Sequence, residues 1–332
     1  MVGMRRTTHG RRKNTGTGAA RRRGGVGRAL PLALAALVLA SGCTAGSGGV
    51  ADGRPPRPEP PADGSVLAVK IDNASAARPQ TGLDTADVVY AEPVEAGLSR
   101  LMAVYATRLP DSVGPVRSAR ESDLELLRQF DRPTLAFSGA QTKLLPLIDR
   151  APLRPVPPEE ATGAYVREDG RPAPHNLYVR PDRLLPKPAG EQALTTGFHY
   201  GQAPSGGRPE SSRTVRYPSA SFTFTWSAGR GGWLVDLDGE PASAPGGERL
   251  APATVVVQHV RVRSSGFGDF RGNNSPYVES VGSGRAEVLR DGRVHEATWK
   301  RGAAEDGTSF TAGDGSPVNF AEGPVWVVFT GS

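Results

Sequence analysis

A single cysteine, Cys43, is all that the 332 residues contain. The chain beyond it can form no internal disulfide, carries no cysteine nucleophile and offers no thiolate to a metal, so its stability has to come from a buried core. About 290 residues follow Cys43, enough for one or two domains.

The position of Cys43 is as informative as its being alone. Before it come a basic stretch to Arg28, an apolar run from Ala29 to Ala40 and a few small residues, the three parts of an export signal. Twelve residues are too few for a membrane span, which needs about 20. Leu39-Ala40-Ser41-Gly42-Cys43 resembles the bacterial lipobox, in which cleavage leaves cysteine first and its thiol takes a diacylglycerol. Residues 1–42 therefore read as a signal peptide and Cys43 as the lipidation site. The expected partner is the membrane, held through diacylglycerol on Cys43, and the expected location is the extracytoplasmic face. Arg21-Arg22-Arg23-Gly24-Gly25 lacks the apolar residues that follow a twin-arginine pair, which favours Sec export.

This division also resolves the charge. The formal net charge is +6, but nine of the 40 basic residues and none of the 34 acidic ones precede Cys43, leaving the remainder near −3. The basic character belongs to export, and no nucleic-acid partner is expected.

From Gly46 to Gly64 the chain has five Pro, five Gly and no apolar periodicity, so residues 43–64 read as a tether. Beyond it, 66–71, 87–92, 100–107 and 134–137 read as strands. Ser118 and Glu121 form a capping-box pattern ahead of Leu124, Leu127 and Phe130, and 141–149 reads as a helix interrupted at Pro146. Past the Pro/Gly/Ser-rich stretch at 200–213 the pattern turns to strands at 222–226, 233–237, 254–263, 286–299 around Asp291-Gly292, and 325–329. The predicted fold class is α+β. A first domain over 65–205 would carry a mixed sheet with flanking helices, and a smaller, mainly antiparallel β domain over 212–332 would pack on it or share its sheet.

Common catalytic signatures are missing: no G-x-S-x-G elbow, P-loop, G-x-G-x-x-G or H-E-x-x-H. His175, His199, His259 and His295 are not at ligand spacing to one another, so neither a metal nor a cofactor is expected. Two polar stretches stand out, 71–100 and 113–122. They place Asp72 and Asn73 after a strand, Arg78 and Gln80 in the next turn, Glu92 and Glu95 at another strand end, and Arg117 and Arg120 at a helix start, where free N–H groups favour an anion. The same charges could pair with one another as structural salt bridges.

The string DN-x4-RPQ-x-GL-x2-AD-x-VY, then VE-x-G-x-SR, VGPVRSAR and His175-Asn176-Leu177-Tyr178 resembles the YerB-like family of bacterial lipoproteins, a family of unknown function. DGRVHEATWKR and PVWVVF resemble its smaller C-terminal domain. The resemblance implies a lipid anchor, a two-part α+β fold and an extracytoplasmic location, and supplies no activity. Its most specific positions are Asp72, Asn73, Arg78, Gln80, Glu92, Glu95, Arg100, Arg117, Arg120, His175 and Asn176, the candidate ligand-binding set. Ala96-Gly97 and Ser99 stand where the family pattern has Gly-Gly and Thr.

Two functions remain in view. The favoured one is a non-catalytic envelope lipoprotein with a polar cleft for an anionic wall component or another envelope protein; the balance is against an enzyme, with no catalytic residue assigned. The alternative is a phosphotransferase acting on a lipid-linked phosphate, since the order of elements is loosely similar to that of LytR-CpsA-Psr phosphotransferases. Convergence of Arg78, Arg100, Arg117 and Arg120 on one pocket would favour phosphate; pairing of each with a carboxylate would favour a scaffold.

Overall fold

The computed structural model describes residues 64–269 and 272–332; the export segment, Cys43 and the tether to residue 63 lie outside the described residues. Runs such as Val-Val-Val-Gln-His-Val and Val-Trp-Val-Val-Phe have almost no polar alternation, the pattern of strands buried on both faces. In the first half the strands are β1 (Leu67–Asp72), β2 (Val88–Pro93), β3 (Ser99–Tyr105), β4 (Thr134–Ala136), β5 (Arg154–Val156) and a small hairpin, β6 (Tyr165–Arg167) with β7 (Leu177–Val179). The second half adds β8 (Arg208–Pro209), β9 (Ser212–Tyr217), β10 (Ala220–Ser227), β11 (Gly232–Leu237), β12 (Glu240–Pro241) and β13 (Thr254–Val260). It continues with β14 (Val262–Gly268), β15 (Asn274–Val278), β16 (Gly282–Arg290), β17 (Arg293–Arg301), β18 (Ser309–Thr311) and β19 (Val325–Gly331).

One eleven-stranded sheet runs through both halves, in the order β18-β17-β16-β13-β19-β2-β3-β1-β4-β5, with β8 on β17. The joint is the last strand. β19 lies parallel to β13, with Trp326 opposite Val255, and parallel to β2, with Trp326 opposite Val89. On one face Val69, Ile71, Val89 and Trp326 meet Phe222, Phe224 and Trp233 from the separate four-stranded sheet β9–β12. On the other, Tyr90, Met102, Val256 and Phe329 pack beneath Leu126 and Leu127 and an aromatic group around Phe310 and Phe320.

The expected balance of helix and sheet is corrected: the described residues are mainly β, with two short α-helices among them, α1 (Glu121–Leu127) and α2 (Leu145–Arg150). The expected capping box is displaced as well. Arg120 rather than Ser118 is the N-cap, because the Asp123 carboxylate reaches back to the Arg120 N–H at 2.7 Å, and Phe130 falls beyond the helix end. Pro146 stands in the first turn of α2 instead of interrupting it; a first-turn proline forfeits no intrahelical hydrogen bond. The Asp291-Gly292 turn is as expected, with both residues at positive φ, 51° and 68°, and Arg290 opposite Arg293. Among the described residues no helix is long and apolar enough to cross a membrane.

Because β19 completes the sheet for both halves, a chain ending at residue 205 leaves the buried run Val88–Ala91 as an open edge. Such a chain is expected to aggregate and to show no cooperative unfolding in urea. A soluble monomer with a cooperative transition would contradict the shared-sheet account.

Candidate functional site

β1, β2 and β3 bring three charged residues to one end of the sheet. Asp72 ends β1 opposite Arg100, and Glu92, near the end of β2, is opposite Arg100 on its other side. Neither carboxylate bonds Arg100, because each is taken by another cation. Lys70 lies between Glu92 and Asp123 of α1, 2.6 Å from Asp123 Oδ1, all three buried. Burial pushes the Glu92 carboxyl up, against the pull of Lys70. Asp72 Oδ2 receives His175 Nδ1 at 2.7 Å and Arg117 Nε at 2.9 Å, the latter an ion pair without hydrogen-bond alignment.

Arg120 takes the remaining acid. Its Nε and Nη2 each lie 2.6 Å from a Glu95 oxygen, the two-pronged geometry that guanidinium and carboxylate share, while Nη1 donates to the carbonyls of Ser118 and Ala119. Ser275 of β15 donates to the same carboxylate. Burial alone would raise Glu95, but the Arg120 hydrogen bonds and charge outweigh it and lower it to about 2. The turn presenting Glu95 makes Ala96 a strained position: residues 96 and 97 both have left-handed backbone, φ 58° and 70°. Glycine adopts that conformation freely and alanine only with strain. Gly97 has a second constraint, since a Cβ there would sit 2.5 Å from Pro218.

Arg100 is different. Among the described residues its guanidinium makes one hydrogen bond, from Nη1 to the Ser118 carbonyl at 3.3 Å, against five N–H groups available on a guanidinium. Burial, then the neighbouring Arg120 and Arg117 charges, push it down to about 9, so it stays a cation at neutral pH. The terminal amines of Arg117 make no hydrogen bond among the described residues.

These groups line a cleft of about 760 Å³. Glu95, Arg100, Arg117, Arg120 and His175 form its polar part, Gln141 and Thr142 one wall, and Phe267, Asn273 and Ser275 the other, with Leu98 and Leu144 supplying apolar surface. Glu121 also lines it, accepting from Ser265 Oγ at 2.5 Å. Asp72 stands immediately behind, through Arg117 and His175.

The other sequence candidates lie elsewhere. Gln80 and Asn73 hold the turn after β1, Gln80 Nε2 donating to Asn73 Oδ1 at 2.8 Å and Asn73 Nδ2 to Ser99 Oγ at 2.8 Å. Arg78 clamps that turn to the second half through Asp238 at 2.6 Å and the Leu237 carbonyl at 3.0 Å. Asn176 closes the β6–β7 hairpin, accepting from Arg167 at 2.7 Å. Of the four arginines, three therefore converge on one cleft and Arg78 does not. The walls from residues 141–144 and from β14–β15 gave no sequence signal; Ser275 is 180 residues from the Glu95 it contacts. No group of three or more His, Cys, Asp or Glu side chains among the described residues could hold a metal ion.

A mainly β fold built on one mixed sheet, with an arginine-lined cleft at the ends of its central strands, is the class of protein these features define. The chain belongs to the family described as proteins of unknown function DUF3048, matching its N-terminal domain over residues 53–194 and its C-terminal domain over 213–327. Over 65 residues it is 43% identical to the protein of Bacillus subtilis (strain 168) named "Putative lipoprotein YerB", a match spanning 20% of this chain and 20% of that relative's length. The crystal structure of the YerB protein from Bacillus subtilis is similar with a TM-score of 0.68 at 20% identity, over 81% of this chain and 91% of that one, and so shares the fold.

The Glu95 environment gives a pH prediction. Its folded value lies below the ordinary 4.5, so the Arg120 pair contributes stability that is present above the normal carboxylate range and is lost as pH falls toward about 2. The stability gap between wild type and Glu95→Gln, measured by urea titration, is expected to shrink on acidification from neutral pH; a gap independent of pH would contradict this.

Proposed function

We propose that this chain is a lipid-anchored protein on the extracytoplasmic face of the membrane whose cleft binds an anionic ligand, a component of the cell envelope. The observation that carries the binding reading is Arg100: a cation near the end of the interior strand β3, with both cross-strand carboxylates committed to other partners and most of its donors unused. Arg117 adds its free terminal amines beside it. An oxyanion would satisfy both, and charge-assisted hydrogen bonds of this kind contribute about 1.5–3 kcal/mol each. The cleft volume suits a ligand larger than a simple ion, and its mixed wall of Gln141, Thr142, Leu98 and Phe267 suits one with both hydroxyl and apolar parts. The anchor is supported by the position of Cys43 and by the name of the Bacillus relative.

Calorimetric titration of the chain with inorganic diphosphate tests the site. Arg100→Gln is expected to weaken binding by roughly ten-fold or more, and Arg78→Gln, whose partners are Asn73 and Asp238, to leave it unchanged. Absence of binding, or equal loss in both variants, would contradict the assignment.

The anchor is tested separately by metabolic labelling with a palmitate analogue: wild type is expected to be labelled and Cys43→Ser to be unlabelled and shed or retained as precursor. Label on the Ser variant would rule out Cys43 as the site.

A further inference from the structure

His175 has a second property that anion binding does not require. Its ring lines the cleft beside Arg100 and Arg117, its Nδ1 is 2.7 Å from Asp72 Oδ2, and Nε2 makes no hydrogen bond among the described residues. An acceptor-only carboxylate at Nδ1 takes the N–H there, leaving Nε2 of the neutral ring as a lone pair. A carboxylate so placed also stabilises the imidazolium formed when Nε2 takes a proton. The cleft thus holds an oriented base together with guanidinium donors, the pairing that general-base attack on a charged centre requires.

We propose that the cleft hydrolyses a phosphoanhydride, with His175 as general base and Asp72 as its positioning residue; this rests on the anion-binding reading above. Arg100 and Arg117 hold the oxygens of the phosphoryl group under attack. A water oxygen forms a bond to phosphorus while His175 Nε2 takes the water's proton. The bond from phosphorus to the bridging oxygen breaks, its electron pair leaves with the second phosphate, and the imidazolium returns its proton to solvent. Nothing is oxidised or reduced.

The substrate class follows from what the cleft lacks as a proton donor. Glu95 is committed to Arg120, Glu121 accepts from Ser265, and Asp269 accepts from the Asn273 N–H at 2.9 Å. Among the described residues each carboxylate lining the cleft is held as an acceptor and none is placed to protonate a departing oxygen, so an alkyl phosphate ester leaves poorly, whereas a phosphate group departs as a stable anion. A tetrahedral phosphoryl end also uses donors from several directions. The Arg120–Glu95 pair beside it shows that one arginine already satisfies a planar carboxylate.

The test measures phosphate release by the full chain, in detergent and in phosphatidylcholine vesicles, with Mg²⁺ and with EDTA. The probes are inorganic diphosphate and farnesyl diphosphate, which separate a free anhydride from a lipid-linked one. Wild type is expected to release phosphate from at least one. His175→Gln and His175→Asn are expected to lose kcat by about 100-fold or more while binding diphosphate within a few-fold of wild type, with melting temperatures close to it. Asp72→Asn is expected to lower kcat and alter the pH profile, because Nδ1 loses the acceptor that sets the tautomer. Wild type that binds diphosphate but releases no phosphate from either probe overturns catalysis and leaves the binding site standing. Undiminished turnover in both His175 variants overturns the role of His175, and failure of wild type to bind diphosphate overturns both readings.

Discussion

The parallel pairing of β19 on both its edges is the constraint on which the rest of the structure depends. This strand, at the C-terminus of the described chain, lies between β13 of the second half and β2 of the first, so neither half has a closed sheet without the other. Trp326 makes the dependence concrete: it is opposite Val255 on one side and Val89 on the other, and its ring packs edge-on against Phe224 at 6.1 Å. The cleft therefore sits at the ends of β1, β2 and β3, interior strands of a large sheet. Asp72, Glu92 and Arg100 stand at registered positions near those strand ends, where ladder hydrogen bonds hold their backbones.

Those strand ends concentrate more charge than they can neutralise locally. Two carboxylates flank Arg100 across the strands, yet the shorter routes run to Lys70 for Glu92 and to Arg117 and His175 for Asp72. Glu95 goes to Arg120, whose donors it shares with two backbone carbonyls. Each pairing is locally good, and their joint effect is to leave Arg100 with one carbonyl. Buried charges are usually paired because an unpaired one is costly. A guanidinium held this way at the floor of a cleft is stabilised when an anion enters, which links the packing of the sheet to the proposed function.

Much of this was legible in the sequence, and the physical reason is the same in each case. Strand positions followed from apolar runs and the β16–β17 turn from Asp291-Gly292. Of Asp72, Arg78, Glu92, Glu95, Arg117 and Arg120, expected in one cleft from their places beside element ends, Glu95, Arg117 and Arg120 line it, Asp72 stands behind it, and Arg78 and Glu92 do not join. What was not legible depends on contacts across long separations. The displaced helix cap arises because Asp123 competes successfully for the Arg120 N–H while the Ser118 carbonyl serves Arg100 and Arg120. The Asp72–His175 pair joins residues 103 apart, and the cleft wall of Phe267, Asn273 and Ser275 comes from the other half of the chain. Arg78, which shares the polar stretch with Asp72, turns instead to Asp238, 160 residues away, a choice that local sequence does not specify.

The central claim, that Arg100 is the open cation of a built anion site, is tested most directly by a crystal structure of the protein grown with tungstate, whose anomalous scattering locates the oxyanion. The account predicts tungstate against the Arg100 and Arg117 guanidiniums with Asp72 and Glu92 still on their present partners. Arg100 closed on a carboxylate, with tungstate absent from the cleft, would contradict it.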